Sequence, residues 1–192
     1  MNPQKIFLCD VGDDDSIAAQ AEELRKLEVK LDFVAHSVAY AEDPNLLVHS
    51  VYSFGSVIRS VKDLLTPRAS TITLTFPGSQ LAYPGYNIMG VAKSAFEAEV
   101  RYLGRELGAW NKTRVNAISA GPVRTLASRG VKGFVLFRQS VRETNMLGED
   151  TSQMDVACEA LCLLSDLSLH VTGQIRYVDC GNSAVWPGNL PE

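Results

Sequence analysis

In the stretch "YNIMGVAK", residues 86–93, a phenol and an ammonium stand seven positions apart. The apolar spacing around them predicts the start of a helix. At about 100° per residue, a step of seven returns to within about 20° of its starting direction. Tyr86 and Lys93 therefore share a helix face but lie two turns apart, about 10 Å along the axis at 1.5 Å per residue. They cannot meet as an i,i+4 pair. An extended lysine can still reach toward the phenol's end of the helix and hold something beside it, such as a ribose. At a helix N-terminus, the macrodipole and a nearby ammonium favour either the ionised phenol or a strong hydrogen bond to a developing oxyanion. Such a pair suits a hydroxyl facing an enolate while a hydride arrives from a nicotinamide.

Side chains at this spacing need a rigid frame, and the rest of the chain supplies its pattern. Short β-branched runs at "KIFLCDV" (5–11), "LDFVAHSVA" (31–39), "TITLTF" (71–76), "RVNAISAG" (114–121) and "GQIRYVDCG" (173–181) read as strands. Several are apolar on both faces, as strands of a covered parallel sheet must be. Helices are expected near 15–28, 45–65, 87–108 and 152–165. This alternation predicts an α/β fold: a single domain over residues 1–192 with a Rossmann-like open, mostly parallel sheet and helices on both faces. In 87–108, Met89, Ala92, Phe96, Val100, Leu103 and Leu107 form one apolar stripe. Ala95, Glu99, Tyr102 and Glu106 flank it. A second flank of this kind fits either a helix buried on one side only or one that also packs on a neighbouring subunit.

With 192 residues, 46% hydrophobic and 21% charged, the chain has the composition of an ordinary soluble globular protein. A net charge of −4 offers nucleic acid or an anionic membrane no electrostatic attraction, and no apolar run is long enough to span a bilayer. The four cysteines form no C-x-x-C pair. Cys158 and Cys162, one helical turn apart, are expected as buried fillers in a reducing, cytosolic compartment. The acidic run in "DVGDDDSI" lacks the alternation of a calcium loop, so Asp15 or Ser16 is expected to cap a helix and no metal site is expected. His36, His49 and His170 have no metal-ligand spacing, and no G-x-S-x-G elbow is present. His36 is expected at the sheet edge, near a cofactor.

"PGYNIMGVAKSAFEAEVRYLGRELG" followed by "RVNAISAGPVRTLA" resembles the NADH-dependent enoyl-acyl-carrier-protein reductases, a divergent branch of the short-chain dehydrogenases marked by Y-x-x-x-x-x-x-K. The resemblance continues in "CDV" (9–11), "HSVAYA" (36–41), "YSF" (52–54), "LLSDLS" (163–168) and "TGQIRYVD" (172–179), covering nearly the whole chain. It implies reduction of the trans-2 double bond of an enoyl thioester on acyl carrier protein, in fatty acid biosynthesis, with NADH as cofactor and a homotetramer as the assembly. It further implies that Tyr86 hydrogen-bonds the thioester carbonyl oxygen and that Lys93 binds the nicotinamide ribose. Asp10 and Val11 would contact the adenine, and Ser37 and Val38 would line the cofactor. Substrate would lie near Ala41. In "GPVRTL", which follows a strand with its amides expected free, Val123 would meet the carboxamide and Thr125 the pyrophosphate, with Arg124, Leu126 and Ala127 alongside. Residues 126–145 would form the mobile substrate-binding loop.

Two departures accompany the resemblance. The family's second tyrosine, ten residues before the first, is here Phe76, while Tyr83 is expected to face elsewhere. No glycine-rich phosphate loop occurs, and the chain begins where the family's third strand would. The expectation is therefore a domain truncated at its N-terminus. Either "KIFLCDV" loses its strand partner or it slides in beside the next strand, and "FVAHSVA" has a bare edge. A second reading of this truncation is a non-catalytic module that assembles with a full-length relative.

Overall fold

The computed structural model describes residues 5–38, 51–125, 128 and 133–186. Four strands, β1 (Leu31–His36), β2 (Leu65–Thr75), β3 (Arg114–Ala120) and β4 (Ile175–Val178), form one sheet in the order β1-β2-β3-β4, every neighbouring pair parallel. Among the described residues, five α-helices accompany them: α1 (Asp14–Lys26), α2 (Ser53–Ser60), α3 (Asn87–Asn111), α4 (Phe134–Thr144) and α5 (Gln153–Leu164).

The two faces follow from the strand alternation. Val115 and Ala117 of β3 point to one face, where Phe54 and Ile58 of α2 and Phe96, Val100 and Leu107 of α3 close a single core. Ala21 of α1 joins this layer through Val61, Leu64 and Val34. Ile72 and Ile118 point the other way and meet Leu163 of α5. Helices thus cover both faces, as a parallel sheet requires. Arg114 ties α5 down by donating to the carbonyls of Leu163, Ser165 and Ser168, so the last turn of that helix has its acceptors satisfied.

Several local expectations are corrected. Lys5–Val11 forms no strand: among the described residues, β1 carries no partner on its outer edge, so the stretch has nothing to pair with. α1 is capped by Asp13, whose side chain accepts from the Asp15 amide, while Ser16 accepts from the Asp10 amide. β2 begins six residues before the expected 71, because Pro67 and Arg68, the latter at φ 65°, lie within a register shift opposite Leu31–Phe33. The segment 126–145, expected as a loop, contains α4. Cys158 is exposed and Cys162 half-buried, so neither is a core filler.

Phe54 is fully buried, its ring 5.5 Å from that of Phe96 and 5.3 Å from that of His36. Truncating it to alanine leaves a cavity where α2, α3 and the sheet meet. Phe54→Ala should lower the unfolding free energy by about 3–5 kcal/mol, read from urea denaturation.

Candidate active site

All four strands run the same way, so their carboxyl ends share one rim, and the segments that follow them gather there. Ser37 and Val38 leave β1 exposed at this rim. Phe76 leaves β2, Gly121–Thr125 leave β3, and Asp179 follows β4. α1 returns to β1 through residues 27–30, which places Asp10 and Val11, just ahead of α1, at the same end of the sheet. Tyr52 and Ser56 of α2 both donate to the Asp14 carboxylate, at 2.8 and 2.7 Å, and fasten the start of α1 to the start of α2.

Tyr86 and Lys93 both reach the end of β2. Lys93 is 6% exposed; its Nζ donates to the Leu74 carbonyl at 3.1 Å and lies 5.2 Å from the Phe96 ring centroid. Burial pushes its ammonium down to about 8, against a partial pull upward from Glu97. Tyr86 stands at the N-cap of α3, its ring 5.2 Å from that of Phe76 and against the Cα of Gly78. Burial pushes its hydroxyl up to about 12, with no described hydrogen bond offsetting it. The N-terminal position therefore does not ionise this phenol. Burial disfavours the ionised form, and the alternative role remains, that of a neutral hydrogen-bond donor.

The turn that carries this ring arrangement is sharply packed. A side chain on Gly78 would put its Cβ 2.4 Å from the Tyr86 ring, and one on Gly90 would sit 2.7 Å from the Gly78 carbonyl oxygen. Ser94 donates to the Ser79 carbonyl at 2.7 Å. The short helical turn Pro77–Ser79 is thereby pressed onto the first turns of α3. Tyr83, expected to face elsewhere, instead packs on Phe76 at 5.4 Å and meets Phe137 of α4 edge-on at 5.6 Å. Gly85, at φ 78°, folds the intervening turn so that both tyrosines reach the same phenylalanine. Next to this aromatic group lies a cleft of about 330 Å³ bordered by Gly78, Leu81, Tyr83, Tyr86, Gly90 and Val91. Lys93 is not part of its wall.

The segment after β3 is less open than expected. The Gly121 amide donates to the Val178 carbonyl, and the Thr125 amide to Ser128 Oγ. Thr125 Oγ1 accepts from the Ser128 amide at 3.1 Å, and the Arg124 carbonyl accepts from Gln153. Val123 is half-buried between them. Ala41, Leu126 and Ala127 lie outside the described residues. His36 belongs to the edge strand, but its ring is buried, within hydrogen-bond distance of Thr73 Oγ1 and Ser53 Oγ. Burial, with Lys93 nearby, lowers it to about 4, so the ring is neutral. Sequence reasoning passed over Gly78 and Glu97 and misjudged Tyr83. The Pro-Gly pairs at 77–78 and 84–85 were the available signal for the two turns.

A family model for enoyl-(acyl carrier protein) reductase matches residues 1–183. The chain belongs to this family. The enoyl-acyl-carrier-protein reductase [NADH] FabI of Synechocystis is 40% identical over 94% of this chain and 76% of its own length. The enoyl-acyl-carrier-protein reductase [NADH] 2 of Rhizobium meliloti is 37% identical over 94% of this chain and 73% of its own. Among solved structures, the Anaplasma phagocytophilum reductase in complex with NAD is 36% identical, with a TM-score of 0.85 over 93% of this chain and 71% of that one. The Bacillus cereus reductase with NADP+ and indole naphthyridinone is 34% identical, with a TM-score of 0.87 over 92% and 74%. The fold is therefore that of these enoyl reductases.

Whether the rim fits a nicotinamide nucleotide turns on two donors that have room for a further acceptor. The buried Lys93 ammonium carries three protons, and Leu74 O is its hydrogen-bond acceptor among the described residues. The Tyr86 hydroxyl is desolvated and has no described acceptor. A sugar diol and a carbonyl oxygen would complete both, so the nicotinamide–ribose half fits.

Two measurements probe this geometry. Between about pH 8 and 10.5 the unfolded chain keeps a Lys93 proton that the folded chain has released, so Lys93 adds stability as pH rises through that window. Wild type should gain on the order of 1–3 kcal/mol relative to Lys93→Met between pH 7 and 10.5, measured as the difference in urea unfolding free energy at each pH. Gly78→Ala should dislodge the Tyr86 ring. Its spectrophotometric titration should then move from about 12 toward the ordinary value of 10.

Proposed function

We propose that this chain is an NADH-dependent enoyl-acyl-carrier-protein reductase of fatty acid biosynthesis, with the Tyr86 hydroxyl as the donor to the thioester oxygen. The observation that carries the assignment of roles is the desolvated, neutral phenol at the end of β2, two helical turns from a buried ammonium. When bound, NADH supplies the hydride that adds to the β-carbon of the enoyl thioester. The double-bond electrons move onto the thioester carbonyl, and the α-carbon takes a proton. Tyr86 donates a hydrogen bond to that oxygen, and the bond strengthens as negative charge develops there.

Lys93 holds the nicotinamide ribose hydroxyls with the ammonium protons that Leu74 O does not use. Ser37 and Val38, exposed at the end of β1, and Val123, Arg124 and Thr125 after β3 flank the same rim. Asp10 and Val11 take the adenine end. Phe76 replaces a hydroxyl with an apolar ring, which supports Tyr86 by a tilted ring contact rather than by donating. Phe137 of α4, set against Tyr83, makes α4 a cover for the acyl chain.

The partner is an enoyl group carried on acyl carrier protein, met in the cytoplasm. No described helix is long and apolar enough to cross a membrane. Ala95, Tyr102 and Glu106 are exposed along α3, Tyr102 at 78%, which supports a homotetramer assembled through that helix. Purified chain should oxidise NADH when crotonyl thioester is added, followed by the loss of NADH absorbance. Tyr86→Phe should lower kcat about 10²–10³-fold with NADH affinity unchanged. A Tyr86→Phe protein as fast as wild type would remove the phenol from the mechanism.

A further inference from the structure

Glu97 is 4% exposed, lies one turn along α3 from Lys93, and has no part in the roles assigned above. A buried carboxylate is stable only when donors satisfy its oxygens. This one accepts from Thr75 Oγ1 at 3.0 Å, from Ser79 Oγ at 2.5 Å and from Gln80 Nε2 at 3.5 Å. Thr75 ends β2, and Ser79 and Gln80 belong to the turn that backs the Tyr86 ring. The donors are therefore held by the same segment that shapes the site, and the carboxylate cannot swing away from the helix face it shares with Lys93.

The geometry points to Glu97 as a positioning residue: an enclosed negative charge, locked by three donors, that holds Lys93 in its ammonium form. This rests on the reading of Lys93 as the cation that grips the ribose. Desolvation drives the Lys93 proton off; the Leu74 carbonyl and the Phe96 face oppose it, and Glu97 adds the one opposing charge. The other groups facing the pair leave the relevant pH range to Lys93. His36 of β1 is held at about 4 by burial, and Tyr177 of β4 is raised above 10 by burial, by Glu97 and by Asp179. Glu99, raised to about 7 by burial, lies on the other flank of α3, where it accepts from the Gly55 amide.

The test follows the Lys93 side-chain carbon resonance against pH in the full chain labelled with ¹³C-lysine, with Lys93→Met assigning the signal. Glu97→Gln keeps the volume and an acceptor oxygen but removes the charge. Its Lys93 midpoint should fall by about one pH unit, a roughly tenfold loss of ammonium above the midpoint. Glu97→Asp, which restores the charge, should recover most of that shift. In parallel, NADH affinity of Glu97→Gln should match wild type near pH 6.5 and weaken about fivefold to tenfold near pH 8.5. Equal midpoints in wild type and Glu97→Gln would overturn the inference. If the glutamine variant does not fold, Glu97→Asn against Glu97→Asp carries the same comparison with the same overturning result. A chain that shows the shift yet neither binds NADH nor reduces crotonyl thioester would retire the reductase reading while leaving the Glu97 assignment standing.

Discussion

Everything at the rim is arranged around an ammonium that water has been made to leave. Taking Lys93 from an ordinary 10.5 to about 8 corresponds to a penalty on the order of 3 kcal/mol for the charged form. Few partners offset it: the Leu74 carbonyl, the face of Phe96 and the charge of Glu97. Each is supplied by the strand–helix unit formed by β2 and α3. The pair must therefore pack in one register, because a slip of one residue along β2 would turn the Thr75 hydroxyl, which binds Glu97, to the opposite face. If Lys93 grips the ribose as proposed, binding competence and stability pull against one another at this position.

β2 carries the load of that arrangement through a polar stripe inside an otherwise apolar core. Thr71, Thr73 and Thr75 are buried on the face that α3 covers. Their hydroxyls donate to the Arg114 carbonyl, the His36 carbonyl and Glu97 in turn. Threonine suits this task because its methyl group packs like valine while its hydroxyl satisfies neighbours. The stripe ties β1, β3 and α3 to one strand. It brings the exposed end of β1, the turn after β3 and the start of α3 to one rim of the sheet.

Much of the frame was legible because it depends on local pattern. The alternating elements and the apolar stripe of α3 follow from periodicity. What failed depended on distant partners. "KIFLCDV" has the composition of a strand, but a strand exists only when another lies beside it. α4 was hidden by its flanking glycines, although Phe134, Phe137 and Val141 step by three and four and Val141 is buried. The donors to Glu97 lie 17–22 residues away in sequence, so no spacing rule connects them. Tyr83 was misjudged because the reversal at Pro84–Gly85 is set by a left-handed glycine, not by the periodicity of the elements it joins.

The phenol resolves into a donor, not an acid, once its surroundings are weighed. Aromatic rings of Phe76 and the close Gly78 backbone exclude water from one side of Tyr86, and that desolvation raises it to about 12. A group so far from ionising stays protonated throughout the range in which Lys93 keeps its charge. A neutral hydroxyl contributes little to an uncharged carbonyl and much more to the oxygen once it becomes an enolate. An ionised phenol would repel that same oxygen. On the proposed reading the raised value is the useful one: it preserves a proton to point at developing charge, while the ammonium two turns away is left to hold the sugar.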